Sequence, residues 1–189
     1  MTLPELRIAL PSWVESVVVF DRPYDAVEDR MRLAIDLSRK NVEEETGGPF
    51  GAAVFEMGTG RLVSVGVNLV VARQNSTLHA EMVALMLAEQ QLGSHTVGGD
   101  DVPAHEIVAS CDPCAMCLGA ILWSGVRRVA CGADREDARL LGFEEGPVFA
   151  ESYRYLERRG IEVVRGVLRE EARAIFAQYR DRGGVIYNG

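Results

Sequence analysis

Two short clusters, His79-Ala80-Glu81 and Cys111-Asp112-Pro113-Cys114-Ala115-Met116-Cys117, restrict the fold of this chain more than any other feature. One imidazole and two thiolates can hold a zinc ion with its fourth position open, but only where two segments distant in sequence meet. Cys114 and Cys117 stand three residues apart, which on a helix puts both sulfurs on one face. A helix N-terminus also favours thiolate over thiol, through its dipole and its unpaired N–H groups. All of this is satisfied if His79 opens one helix and the two cysteines occupy the first turn of another. The chain must then fold so that two helix N-termini converge.

Such a centre has a chemical use. Zinc lowers the pKa of a bound water to about 7 and so makes hydroxide available at neutral pH. A proton acceptor is still needed, and Glu81, two residues beyond His79, can reach the water without being a ligand. A carboxylate that carries protons in both directions is expected to have a raised pKa. Cys111 offers a third thiol that would close the coordination sphere and make the metal structural. We expect it to stay out, at the end of a strand before the helix, because a closed site leaves Glu81 without a purpose. Cys131, in the apolar run Val129-Ala130-Cys131, reads as a buried core thiol.

Val27, Met31, Ala34, Ile35, Ser38 and Val42 recur at three- and four-residue spacing and predict a helix over 24–45, ended by a left-handed cap at Gly47-Gly48-Pro49. Residues 51–55 and 62–71 read as a hairpin about a turn at 58–60. Helices are expected at 79–92, with Met82, Leu85, Met86 and Ala88 inward, and at 113–124, with Pro113 as the first residue. Between them lie a surface loop at 93–101 and a strand at 106–110. A strand at 127–131, a loop at 142–147, a helix at 148–159, a strand at 161–167 and a last helix at 169–182 complete the pattern. Strands and helices alternate, so the expected fold is α/β, a three-layer α/β/α arrangement around a mixed five-stranded sheet.

The length, 189 residues, and 48% hydrophobic content suit one globular domain. We assign it to 23–189, preceded by an extension, 1–22, that contains Trp13. No stretch is long and apolar enough to span a bilayer, and Glu5, Arg7, Pro11 and Glu15 interrupt any leader-like core, so a cytoplasmic protein without membrane contact is expected. Three cysteines crowded into 111–117 fit a reducing compartment. A net charge of −8 and a single lysine, Lys40, argue against nucleic acid as a partner and for a small-molecule substrate.

Over about 24–150, the chain resembles the cytidine and deoxycytidylate deaminase superfamily, through His79-Ala80-Glu81 followed by Pro113-Cys114-Ala115-Met116-Cys117. The run from Ser110 through Trp123 is similar to the subgroup that holds guanine deaminases and tRNA adenosine deaminases, and the chain is most like the former. The resemblance implies Zn2+ as cofactor, held by His79, Cys114 and Cys117, with Glu81 as proton carrier. It implies that Phe50, in the turn Gly47-Gly48-Pro49-Phe50-Gly51-Ala52, stacks on the base, that Asn68 hydrogen-bonds the base edge, and that Ala80 borders the same pocket. Within Gly142-Phe143-Glu144-Glu145-Gly146 an acid is expected to move a second proton; the pattern aligns it at Glu145, with Glu144 adjacent. In that subgroup the C-terminal segment crosses to a partner subunit, which makes Tyr187 the candidate to close a neighbouring site in a domain-swapped homodimer. The implied activity is deamination of a free nucleobase, guanine to xanthine and ammonia, with amino-s-triazines as further substrates. Deamination of adenosine in tRNA, or of cytosine or a nucleoside, stands as the alternative.

Overall fold

Runs of small and β-branched residues form five strands, β1 (Gly51–Glu56), β2 (Leu62–Val67), β3 (His105–Cys111), β4 (Arg128–Ala133) and β5 (Glu162–Val164). The computed structural model, which describes residues 5–100 and 102–188, orders them β2-β1-β3-β4-β5 in one sheet. Residues 1–4 of the extension, Asp101 of the expected surface loop and Gly189 at the C-terminus lie outside the described residues. β1 pairs antiparallel with β2 and β3, whereas β3 with β4 and β4 with β5 are parallel, so the sheet is mixed.

Eight helices accompany it among the described residues: α1 (Val14–Val17), α2 (Val27–Glu43), α3 (Val70–Arg73), α4 (Ala80–Leu92), α5 (Ala115–Ser124), α6 (Arg135–Leu141), α7 (Ala150–Arg158) and α8 (Arg169–Asp181). They cover both faces of the sheet, and the inner strands are accordingly apolar on both sides. Ala53, Phe55, Val108 and Ala130 join one core with Met31 and Leu37 of α2 and Ile175 of α8. Ala52, Val54, Ile107 and Val129 join the other with Ala84 of α4, Ile121 of α5 and Leu156 of α7. The fold is therefore the expected three-layer α/β/α. Cys131 is fully buried in the second core, and burial pushes its thiol well above the ordinary range. No helix among the described residues is long and apolar enough to cross a membrane.

Several boundaries differ from expectation for local reasons. α2 starts at Val27, and its left-handed exit residue is Glu45 (φ 56°) in place of Gly47. The second strand stops at Val67, short of residue 71, because Asn68 turns the chain: its Oδ1 accepts the Val70 N–H at 3.2 Å, and α3 follows. Pro113 precedes α5, with Cys114 at the helix boundary. The strand expected over 161–167 contracts to Glu162–Val164. α6 was not anticipated, although Asp134 and Asp137 form a reciprocal cap at its start, with N···O distances of 3.0 and 3.1 Å.

The packing of α4 is the most consequential difference. Ala80, Val83, Ala84 and Ala88 face the sheet with Leu85, Met86 is half-buried against the first core, and Met82 is half-buried and joins neither core. A Cβ added to Gly66 of β2 would lie 2.1 Å from the Ala80 carbonyl oxygen and 2.5 Å from the Ala84 nitrogen. The helix therefore rests on the strand almost backbone to backbone, and long side chains cannot stand between them.

Candidate active site

Both ligand clusters sit where extended backbone becomes helix. His79 (φ −67°, ψ 157°) stands at the N-terminal boundary of α4 and Cys114 (φ −68°, ψ 174°) at that of α5. Neither side chain caps its own helix. His79 Nδ1 instead lies 3.5 Å from Cys114 Sγ, and Cys117 Sγ completes a triangle whose donor atoms are all within 4.8 Å of one another. One imidazole nitrogen and two sulfurs so close together suit zinc, which takes nitrogen and sulfur ligands. Cys111 turns away, its thiol directed to the Asp134 carbonyl oxygen at 3.6 Å. The group thus has three protein donors.

The electrostatics favour an anionic ligand. A hydrogen bond from Cys117, helped by one from His79, holds the Cys114 thiol down to a pKa of about 4. Cys117 is raised by that same bond and by its burial. Burial would lower His79, but its hydrogen bond to Cys114 and the nearby Glu81 charge outweigh this and raise it. Glu81 and Glu145 are each 8% exposed. Burial, with the Cys114 charge adding to it, lifts Glu81 to about 7. Burial lifts Glu145 to about 8, with the charges of Cys114 and Glu81 contributing. Two carboxyls that titrate near neutrality beside one metal site can both give and take protons.

These groups border a cavity of about 30 Å3, with Phe50, Phe143 and Tyr187 as its aromatic side and Glu81, Glu144 and Glu145 among its acids. A larger hollow of about 320 Å3 between the end of α2 and Gly183-Gly184 is lined by none of the three ligands and by neither Glu81 nor Glu145. Phe50 is half-buried and meets Phe143 edge-on at 5.1 Å and Phe176 at 5.6 Å, so it belongs to the core as well as the cavity wall. Asn68 is 1% exposed and is not among the residues that border the cavity, and its Nδ2 has no partner among the described residues. Ala80 is fully buried as the first residue of α4, where the helix itself cannot use its N–H.

Of the adjacent acids, Glu145 is turned inward and Glu144 is exposed. The Glu144 N–H donates to Asn188 Oδ1 at 2.8 Å, and Asn188 Nδ2 donates to the Gly142 carbonyl at 3.0 Å. These bonds lay the C-terminal segment beside its own chain's cavity, which Tyr187 borders. Tyr187 meets Phe143 edge-on at 5.0 Å, and burial raises its hydroxyl well above the ordinary range.

Three contributors were not foreseen. Asp112 borders the cavity at 3% exposure and is held by Arg165 through two bonds, the Nε contact to Oδ1 being 2.9 Å. Arg135 Nη1 donates to the Val148 carbonyl at 2.6 Å, and the Ala115 N–H to the Glu145 carbonyl at 2.9 Å, which together tie the acidic loop to α6 and α5. Phe143, quoted only as part of the acidic motif, packs against both Phe50 and Tyr187. Local pattern carries no signal for the Asp112–Arg165 pair, whose members are 53 residues apart.

Known proteins are similar to this chain in sequence and fold. A guanine deaminase of Bacillus subtilis (strain 168) is 33% identical over 143 residues, covering 76% of this chain and 87% of that protein. The solved structure of the guanine deaminase from Nitrosomonas europaea superposes with a TM-score of 0.89 at 40% identity, covering 96% of this chain and 99% of that one. A further structure, a complex with 2,6-diaminopurine, superposes with a TM-score of 0.89 at 42% identity and covers 96% of each chain. Residues 25–133 match the model of the cytidine and deoxycytidylate deaminase zinc-binding region. That match takes in more than half of the chain, four of the five strands, Glu81 and all three donors, and on it the protein belongs to the cytidine and deoxycytidylate deaminase family.

Proposed function

We propose that this protein is a guanine deaminase, converting guanine and water to xanthine and ammonia. The observation that carries the reading is a second buried carboxyl, Glu145, beside Glu81 at the three-donor centre. The likeness to the guanine deaminase from Nitrosomonas europaea over 96% of the chain supports it. When held by His79, Cys114 and Cys117, zinc supplies Lewis acidity that brings the deprotonation of water into the neutral range.

Glu81 takes the proton of the attacking water and delivers it to the ring nitrogen next to the aminated carbon. Glu145 in its acid form gives a proton to the amine as the C–N bond breaks, and the second proton of the water, released from the new hydroxyl as the C=O bond forms, restores that acid while ammonia leaves. Phe50 stacks on the purine, the Asn68 amide meets its edge and the Ala80 N–H donates to it. Tyr187 closes the cavity over the base and keeps bulk water out. Amino-s-triazines present a similar aminated ring and belong to the same substrate class.

We further propose a homodimer, supported by the apolar hollow of Met82, Met86, Ala120 and Trp123 on α4 and α5, in which Trp123 is 80% exposed. Exchange of the segment beyond Gly183-Gly184 between subunits would give Tyr187 the same place over a neighbouring cavity. The crowded thiols of Cys111, Cys114 and Cys117 support a cytoplasmic setting, where the reaction serves purine breakdown.

The test is ammonia release by zinc-loaded protein from guanine, adenine, cytosine, their nucleosides and aminotriazines. Turnover fastest on guanine is expected, and none on guanine refutes the proposal. Tight, salt-sensitive binding of tRNA would point to adenosine deamination instead, against the net charge of −8.

A further inference from the structure

Trp13 lies in the extension before the domain and is half-buried against its core. Its indole Nε1–H donates to Thr46 Oγ1 at 3.0 Å. Thr46 Oγ1–H donates in turn to Asn41 Oδ1 at 2.7 Å. Asn41 is fully buried and uses both amide hydrogens, Nδ2 donating to the Gly48 and Asn68 carbonyls at 2.9 Å each. Every donor in this relay points the same way, so each bond polarises the next. The relay also dictates which way round the Asn41 amide sits, because only Oδ1 can accept and only Nδ2 can serve two carbonyls.

Its two final acceptors belong to the proposed base-binding elements. A Cβ on Gly48 would be 2.1 Å from the Tyr187 hydroxyl oxygen, and Phe50 follows two residues later on the cavity wall. Asn68 is the residue whose buried Nδ2 lacks a partner. There is no slack between the two segments, since a Cβ on Gly47 would be 1.9 Å from the Asn68 carbonyl oxygen. One amide group therefore sets the spacing between the turn that carries Phe50 and the residue that carries the unpaired donor.

We propose that Trp13, Thr46 and Asn41 are positioning residues for base recognition, and that the N-terminal extension thereby takes part in substrate binding. This rests on reading the cavity as a nucleobase site. None of the three touches the reacting atoms; they determine where Phe50 and Asn68 are held.

Thr46→Val removes the hydroxyl at nearly constant shape, Thr46→Ser restores it, and Trp13→Phe removes the donor while keeping an aromatic ring. With zinc-loaded, full-length protein, T46V is expected to raise KM for guanine about 3- to 10-fold, with kcat within about twofold, as for the loss of one or two neutral hydrogen bonds. W13F should shift KM in the same direction, T46S should restore it, and W13F added to T46V should change it no further. KM unmoved in both T46V and W13F, or not restored by T46S, overturns the relay. Amide exchange at Gly47, Gly48 and Phe50 reads the same coupling without substrate: faster exchange in T46V than in T46S is expected, and equal exchange overturns the proposal. A parent inactive on guanine, with that exchange difference present, sinks the substrate reading and leaves the relay standing.

Discussion

Glu145→Gln isolates the second proton carrier. The side chain is 8% exposed and burial lifts its pKa to about 8, so in the metal-free chain at pH 7 it is mainly a neutral acid. Glutamine preserves that neutral shape but cannot transfer a proton. Binding should therefore change little, with KM for guanine within about threefold, while the chemical step loses one acid. General acid–base catalysis contributes roughly 10²- to 10⁴-fold. Glu81 remains beside the same cavity and continues to serve the first transfer, which places the expected loss in kcat near the lower limit, about 100-fold, or about 2.7 kcal/mol of barrier.

The same substitution has a signature in stability. The folded-state pKa of about 8 is raised above the ordinary value of 4.5, so the folded acid stays protonated while the unfolded one ionises. The parent then loses stability as pH rises from about 4.5 to about 8, by an amount on the order of a few kcal/mol, and E145Q does not. With chelator present, the Tm of E145Q should match the parent's near pH 4.5 and exceed it above pH 8. Steady-state ammonia release at pH 7 tests the catalytic half, with Glu144→Gln as comparison. A kcat for E145Q within about threefold of the parent, or an equal loss in E144Q, would refute the assignment.

Three further outcomes are expected. Cys117→Ser should reduce zinc, near one per chain in the parent, to a small fraction after dialysis, as read by atomic absorption; full retention would mean that the centre does not rest on this triangle. Arg165→Ala leaves the carboxylate of Asp112 buried without its guanidinium, a cost of roughly 1–3 kcal/mol that should lower Tm by about 3–10 °C, and lysine should recover only part because it cannot bond to both oxygens. An unchanged melting profile would show the pair to be incidental. Trp123→Glu should convert a dimer to monomer in light scattering, and a parent already at the single-chain mass of 20.7 kDa would dispose of the homodimer.

The metal centre is legible in the sequence because its constraints are local. Spacing on a helix aligns Cys114 with Cys117, and only a helix start can present His79 and Cys114 as they are found. Strand and helix order follows from periodicity for the same reason. What escapes is set by contact between distant segments. Met82 has the spacing of a core residue, yet close approach to Gly66 gives that place to alanines. Asn68 ends a β-branched run because its own side chain competes for a backbone N–H two residues on. Glu144 and Glu145 are equivalent as letters; Asn188 holds the backbone of the first, and the second is left facing inward.

The seating of α4 on Gly66 also ties the chemistry to the sheet beneath it. A helix held by hard backbone contact has no cushion of side chains that could yield on that side, so the placement of His79 and Glu81 follows β2 closely. The hollow on its other side, beside Trp123, is walled by α5 as well, the helix that carries Cys117. A neighbour seated there would bear on both helices that present the metal donors.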